Sequence, residues 1–155
     1  MNSRTLRFGA IALLGVLTSA SAPLDSHSLP TKTQITVFKD PNCGCCKSWV
    51  EHLRKHGFAV VVHDTSDVGG AKRAGRVPEQ LHACHTAFVN GYVVEGHVPA
   101  SDIQRLLAEK PKMAGLAVPG MPAGSPGMDG GRGEPYDVML VERDGQSSVY
   151  ARYGR

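Results

Sequence analysis

Three of the chain's four cysteines fall within four residues, as Cys43, Cys45 and Cys46, and Cys84 stands apart from them. Cys43 and Cys46 form a C-x-x-C pair between an apolar run and a helical pattern, which is a redox motif when the flanks build a βαβ unit. Cys45 adds a third thiol to the same turn and shifts the question from which disulfide forms to which soft metal binds. A helix N-terminus lowers thiol pKa and favours thiolate, and Lys47 adds positive charge nearby. Thiolates select Cu(I), zinc or iron–sulfur clusters. A single four-cysteine zinc site usually draws on two separated cysteine pairs. Three ligands from one tight turn and one from afar, Cys84, suit low-coordinate Cu(I) better, with sulfurs bridging more than one ion. Other readings stay open: a thiol–disulfide oxidoreductase using Cys43 and Cys46, a zinc-binding domain, or two structural disulfides.

Further soft or nitrogen donors are present. Met113, Met121 and Met128 lie in one Gly/Pro-rich stretch and could reach over the cysteines, because thioether suits Cu(I) and is poor for zinc; each could equally plug a gap in the core. Met139 reads as a core strand residue. His85 neighbours Cys84, although strand alternation would send it to the opposite side. His97 follows a hairpin and could approach the methionine stretch. His27, His52, His56, His63 and His82 read as surface or strand-end residues. No Ser/His/Asp set, paired carboxylates, phosphate loop or dinucleotide fingerprint is visible.

The elements that must position these residues follow from the pattern. Ile35–Phe38 is a β-branched and aromatic strand, broken by Asp40-Pro41-Asn42. A helix from about Cys45 to His56 carries Trp49, Val50 and Leu53 on one stripe, with Glu51 and Lys55 as an i,i+4 pair. Gly57 ends it, and Phe58–His63 is a second buried strand, making a parallel βαβ unit. A short helix is expected near 67–74, capped by Ser66 or Asp67, and another short one opens at Pro78. Thr86–Val89 and Tyr92–Gly96 pair across the Asn90-Gly91 turn. A helix then runs from Asp102 to Glu109 with Ser101 as its N-cap. Residues 113–133 hold seven glycines, three prolines and three methionines, a composition that excludes helix and regular strand. Tyr136–Val141 and Ser148–Tyr153 close the chain as a hairpin that adds a pair of edge strands.

The 155-residue chain suffices for one domain. Arg4 and Arg7, the apolar run Phe8–Leu17 and small residues at Thr18–Ala22 read as a secretory signal peptide over residues 1–22. A disordered lead-in over 23–33 and a single domain over 34–155 follow. Without Arg4 and Arg7, Lys+Arg falls from 17 to 15 against 14 acidic residues. That near balance excludes a nucleic-acid binder. No later apolar run is long enough for a membrane helix, so the mature protein is expected to be periplasmic and not inserted in a membrane.

Strand, C-x-x-C, helix, strand, then strand, turn, strand, helix is similar to the thioredoxin-like fold. Thioredoxins place a cis-proline before the third strand; here Cys84-His85 occupy that place, which argues against ordinary disulfide exchange. More specifically, the chain resembles the CopG-like family of exported thioredoxin-like copper-associated proteins, formerly a domain of unknown function. The residues that carry this are Cys43-Gly44-Cys45-Cys46-Lys47-Ser48-Trp49, Cys84-His85-Thr86-Ala87, Gly96-His97-Val98-Pro99-Ala100 and Gly120–Met128. The resemblance implies an α/β, thioredoxin-like mixed sheet with flanking helices, a Gly/Pro/Met-rich loop and a C-terminal β-hairpin. It further implies copper held on the clustered cysteines in copper resistance or homeostasis, with copper redox activity as an added role. The partners it implies are copper-handling proteins of the same compartment.

Overall fold

A computed structural model of the chain describes residues 32–128 and 133–154. The expected signal peptide, residues 1–22, lies outside the described residues, as does all of the 23–33 lead-in but its last two residues. Seven strands form one mixed sheet in the order β2-β1-β3-β4-β5-β6-β7. These are β1 (Gln34–Lys39), β2 (Ala59–Asp64), β3 (His85–Val89), β4 (Tyr92–Glu95), β5 (Gly115–Ala117), β6 (Tyr136–Val141) and β7 (Ser147–Tyr153). The helices are α1 (Gly44–Lys55), α2 (Val68–Ala74) and α3 (Ala100–Glu109), with a 3-10 turn at Glu79–Leu81.

Strands β1 and β2 pair in parallel across α1, because a twelve-residue helix between two extended runs forbids a hairpin. Along α1 the buried residues are Cys46, Trp49, Val50 and Leu53, the i, i+3, i+4, i+7 stripe of a helix laid on a sheet. Trp49, Val50 and Leu53 join Ile35, Val37, Ala87, Ile103, Leu106 and Leu116 in the larger apolar cluster. Trp49 adds an indole N–H donated to the Val98 carbonyl at 2.9 Å, tying α1 to the segment that enters α3. A smaller cluster, including Val77, Leu81, Val93, Ala117 and Val141, covers the other face. The expected Glu51–Lys55 pair does not form, since Arg54 takes Glu51 at 2.6 Å one position earlier.

Asp67 caps α2 by accepting from the Gly70 N–H at 2.8 Å. Asn90 and Gly91 both have positive φ, 45° and 83°, the conformation that a two-residue hairpin turn demands. Ser101 does not cap α3. The helix starts two residues earlier than expected, at Ala100, with Pro99 as an N-cap that offers no side-chain bond; the Ala100 N–H donates instead to His52 Nε2 of α1 at 3.0 Å.

Residues 113–133 depart from expectation in one respect: they contain a strand. β5 pairs in parallel with β4 and antiparallel with β6. Glycine permits this, because a Cβ at Gly115 would stand 1.8 Å from the Val93 carbonyl oxygen. β5 thereby joins the C-terminal hairpin to the sheet, so of the hairpin's two strands β6 is interior and β7 is an edge.

Candidate metal centre

The cysteine turn is built by local hydrogen bonds. Asp40 accepts from the Asn42 N–H through Oδ1 at 2.7 Å and from the Cys43 N–H through its carbonyl at 3.1 Å. The chain therefore turns sharply after β1 and places Cys43 at the N-cap of α1. There its Sγ accepts from the Cys46 N–H at 3.3 Å, a sulfur taking the role of a capping oxygen. Cys46 is buried, Cys43 and Cys45 are half-buried, and Gly44 is exposed with open space around it.

Cys84 arrives from the other side. It lies in a bend just before β3, fixed by its neighbours. Ala83 donates its N–H to Glu95 Oε1 at 2.6 Å and bridges to Gly120, and the His85 carbonyl accepts from Gly96 N–H at 3.0 Å. Glu95 is wholly buried and also accepts from the Thr86 hydroxyl at 2.7 Å and from Lys72 Nζ. The result is that Cys84 Sγ stands 3.5 Å from Cys46 Sγ, across 38 residues of sequence, and Cys45 Sγ stands 3.5 Å from Cys43 Sγ. All four sulfurs lie within 4.8 Å of one another. Cys43 and Cys46 are joined as a disulfide; Cys45 and Cys84 are free thiols.

Two histidines complete the surroundings. Cys84 Sγ is 3.2 Å from His85 Nδ1 and 3.1 Å from His97 Nε2. The expectation that alternation sends His85 away from Cys84 fails, because Cys84 lies in the bend and not in the extended strand. His85 packs its ring at 4.3 Å from Trp49 and 4.9 Å from His97. His97 Nδ1 meets the Pro126 carbonyl at 2.8 Å.

Burial dominates the electrostatics. It pushes the Cys84 thiol up to about 12, helped by the neighbouring Cys45. The expected lowering at a helix N-terminus does not reach Cys84, which is not on that helix. Burial likewise holds His85 well below the usual imidazole range, with His97 and Lys72 adding to it, and lowers His97 against the opposing bond to Pro126. The unbound site thus favours neutral imidazoles and a protonated Cys84, so a metal ion must displace that proton.

The methionines separate. Met113 is buried in the larger core cluster and borders Gly91 and Val93, at the turn end of the β3–β4 hairpin, roughly 20 Å along the strand from Cys84. It packs the core and is not brought to the sulfurs. Met121 is 54 % exposed, and Met128 is half-buried. The stretch that carries them does reach the site through its backbone. Gly127, at φ +86°, lies so close to α1 that a Cβ there would stand 2.9 Å from the Cys45 carbonyl and 2.7 Å from the Trp49 nitrogen. Two contributors had no clear mark in the sequence: the Pro126 carbonyl and Lys72. Glu95 did, as a lone acid in the apolar run Tyr92-Val93-Val94-Glu95.

The donors gathered here are soft sulfur with imidazole beside it, a set that fits copper. Residues 81–128, which contain Cys84, both histidines and the Gly/Pro/Met stretch, match a family described as "Protein of unknown function, DUF411". No curated protein matches the chain. Two solved structures are similar to it. One, described as "Copper resistance protein copG- Form 2", is 46 % identical with a TM-score of 0.76 and is covered over 100 % of its length by 80 % of this chain. The other, "Copper resistance protein copG- Form 1", has the same identity and TM-score, with 81 % and 100 % covered.

Proposed function

The chain belongs to the family of the copper resistance protein copG, and from that premise we propose that it is a periplasmic copper-binding protein holding Cu(I) on Cys43, Cys45, Cys46 and Cys84. The observation that carries this reading is the 3.5 Å approach of Cys84 to Cys46, which turns a sequence motif and a distant cysteine into one sulfur pocket. Cu(I) prefers such crowded thiolates, and sulfurs this close can bridge more than one ion. We read the first four strands with α1 and α3 as thioredoxin-like, the signal peptide as the route to the periplasm, and copper-handling proteins of that compartment as partners. Among the described residues no helix is long and apolar enough to cross a membrane.

The disulfide gives the site two levels. Opening Cys43–Cys46 takes two electrons and two protons from a dithiol reductant, which leaves as its own disulfide. Two thiols become four. Cu(I) then replaces thiol protons, which pass to solvent. A second reading, a thiol–disulfide oxidoreductase using Cys43 and Cys46, is favoured by the disulfide itself.

Thiol counting and Cu(I) titration against a chromophoric chelator separate the two. The copper reading expects two reactive thiols before reduction and four after, tight Cu(I) binding only after reduction, and a large loss in Cys84→Ser. Insulin reduction at thioredoxin-like rates by metal-free protein, with no tight Cu(I) binding, would establish the second reading instead. Preference for one zinc ion per chain would overturn both.

A further inference from the structure

The described residues include six arginines, and four of them are in ion pairs: Arg54 with Glu51, Arg73 with Asp67, Arg105 with Asp102 and Glu109, and Arg152 with Asp137. The other two, Arg76 and Arg143, have no ion pair or side-chain hydrogen bond among the described residues. Yet they come from different elements to line one cavity of about 500 Å³. We propose that this cavity binds a carboxylate carried on an apolar acylamino body, supplied by a small N-acyl amino acid or by the free C-terminal end of a peptide. The site is independent of the copper reading. It lies on the α2 face at the turn end of the β3–β4 hairpin, at the opposite end of β3 from Cys84.

Arg76 is the residue that its own backbone least explains. It follows the end of α2 in the left-handed region, at φ 51°. Its N–H donates to the Arg73 carbonyl at 3.0 Å, and the Val77 N–H donates to the Lys72 carbonyl at 3.0 Å. That pair of bonds is the Schellman helix end, whose left-handed position is usually glycine, because a Cβ there is strained. A glycine is present, but one residue too early: Gly75 is at φ −77° and needs no special freedom. Its missing side chain serves the cavity wall instead, since a Cβ there would stand 2.7 Å from Val93 Cγ2. A side chain kept at a strained position, and paired with nothing in the protein, points to a role outside it. A cation is also favoured at a helix C-terminus; that role predicts a loss of stability on replacement, which binding does not.

The rest of the lining sorts the ligand. Phe88, Val93 and Met113 give an apolar floor. Arg143 sits on the turn between β6 and β7, closed by the Glu142 N–H to the Gln146 carbonyl at 2.9 Å and the Gly145 N–H to the Glu142 carbonyl at 3.2 Å. Ala114 ties that rim to the sheet: its N–H donates to the Val141 carbonyl and its carbonyl accepts from the Val93 N–H, both at 2.9 Å. The walls are therefore set by backbone bonds before any ligand arrives. Two guanidiniums suit one carboxylate, which accepts from both. Glu142, half-buried in the same lining and without an ion pair among the described residues, supplies an acceptor. A bare fatty or aryl acid offers it nothing, whereas an acylamino acid brings an amide N–H beside its carboxylate. A cavity of this size suits a small ligand or a chain end.

The test uses the metal-free protein with its disulfide closed and follows backbone amide shifts by NMR. The probes are N-acetyl-phenylalanine, its C-terminal amide and 3-phenylpropionate. The acid should give saturable shifts at Gly75, Gly91 and Ala114. The amide should bind more than about tenfold weaker, because charge-assisted bonds are lost, and 3-phenylpropionate should also bind more weakly than the acylamino acid. Arg76→Gly should leave Tm unchanged or raise it, since glycine fits the left-handed position, yet weaken the acid by at least about tenfold. Arg143→Gln, on an exposed turn, is the second variant and should weaken it comparably. A longer peptide with the same last residue tells the sources apart: affinity at least about tenfold higher assigns a chain end, and equal affinity a small molecule. No saturable shift, acid and amide binding alike, 3-phenylpropionate binding as tightly, or full affinity in both arginine variants overturns the proposal. So does an Arg76→Gly protein that loses Tm and keeps its affinity, for the arginine then serves the helix end.

Discussion

Replacing Lys72 with Met removes the cation from a carboxylate that has no access to water. The Lys72 and Glu95 side chains are 10 % and 0 % exposed, and Lys72 Nζ donates to Thr86 Oγ1 at 3.3 Å as well as to Glu95. Breaking one side of such a pair costs about 3–5 kcal/mol, because the remaining charge is left uncompensated. For a domain of this size about 4 °C of melting temperature goes with each kcal/mol, so Lys72→Met should lower Tm by roughly 12–20 °C. The double variant Lys72→Met/Glu95→Gln removes both charges and keeps an amide oxygen for the Ala83 N–H. It should therefore recover at least ~2 kcal/mol relative to the sum of the single changes. Thermal and urea unfolding of the four proteins, all with the disulfide closed, completes the cycle. A Lys72→Met loss under ~0.5 kcal/mol, or strictly additive losses, would refute the reasoning. It would also mean that the bend carrying Cys84 is held by something other than Glu95.

Stability should fall on mild acidification. Burial, with His56 and Lys55 adding to it, holds His52 at about 4 against an ordinary 6.5, and protonation would cost its Nε2 the bond from the Ala100 N–H. A histidine depressed in the folded state gives stability that is complete above about pH 6.5 and is lost as pH falls toward 4. The gap sets an upper bound of ~3.4 kcal/mol. With the ring only half-buried, about 1–2 kcal/mol should disappear between about pH 7 and pH 4.5, and urea midpoints in His52→Gln should lose most of that slope. Gly127→Ala forces an unfavourable φ and a clash with the Cys45 and Trp49 backbone. It should cost about 1–3 kcal/mol and speed alkylation of Cys45, measured by mass spectrometry, as the segment lifts away.

The cysteine turn was legible because its determinants are local: β1, the break at Asp40-Pro41-Asn42 and the α1 stripe are all written within twenty residues. The approach of Cys84 was an inference from element order, and it held because β3 must pair with β1. What failed depended on contacts between elements. Ser101 lost the cap of α3 because the helix begins at Ala100, whose N–H is taken by His52 on another helix. Gly115 read as loop until the Val93 carbonyl beside it explained why no side chain is allowed. Alternation misplaced His85 because it presumes extended backbone through Cys84, which lies in a bend before β3. Met113 looked like a ligand by company, but its neighbours in space are core residues.

The bond between Cys43 and Cys46 closes a ring of only four residues. Chain-entropy reasoning gives so small a ring about 2 kcal/mol of stabilisation, and the native turn already has its own capping sulfur, Asp40 bonds and indole anchor. Breaking the bond should therefore leave the scaffold standing. Copper binding, as proposed above, then needs only the two sulfurs to part, with no refolding of the turn that carries them.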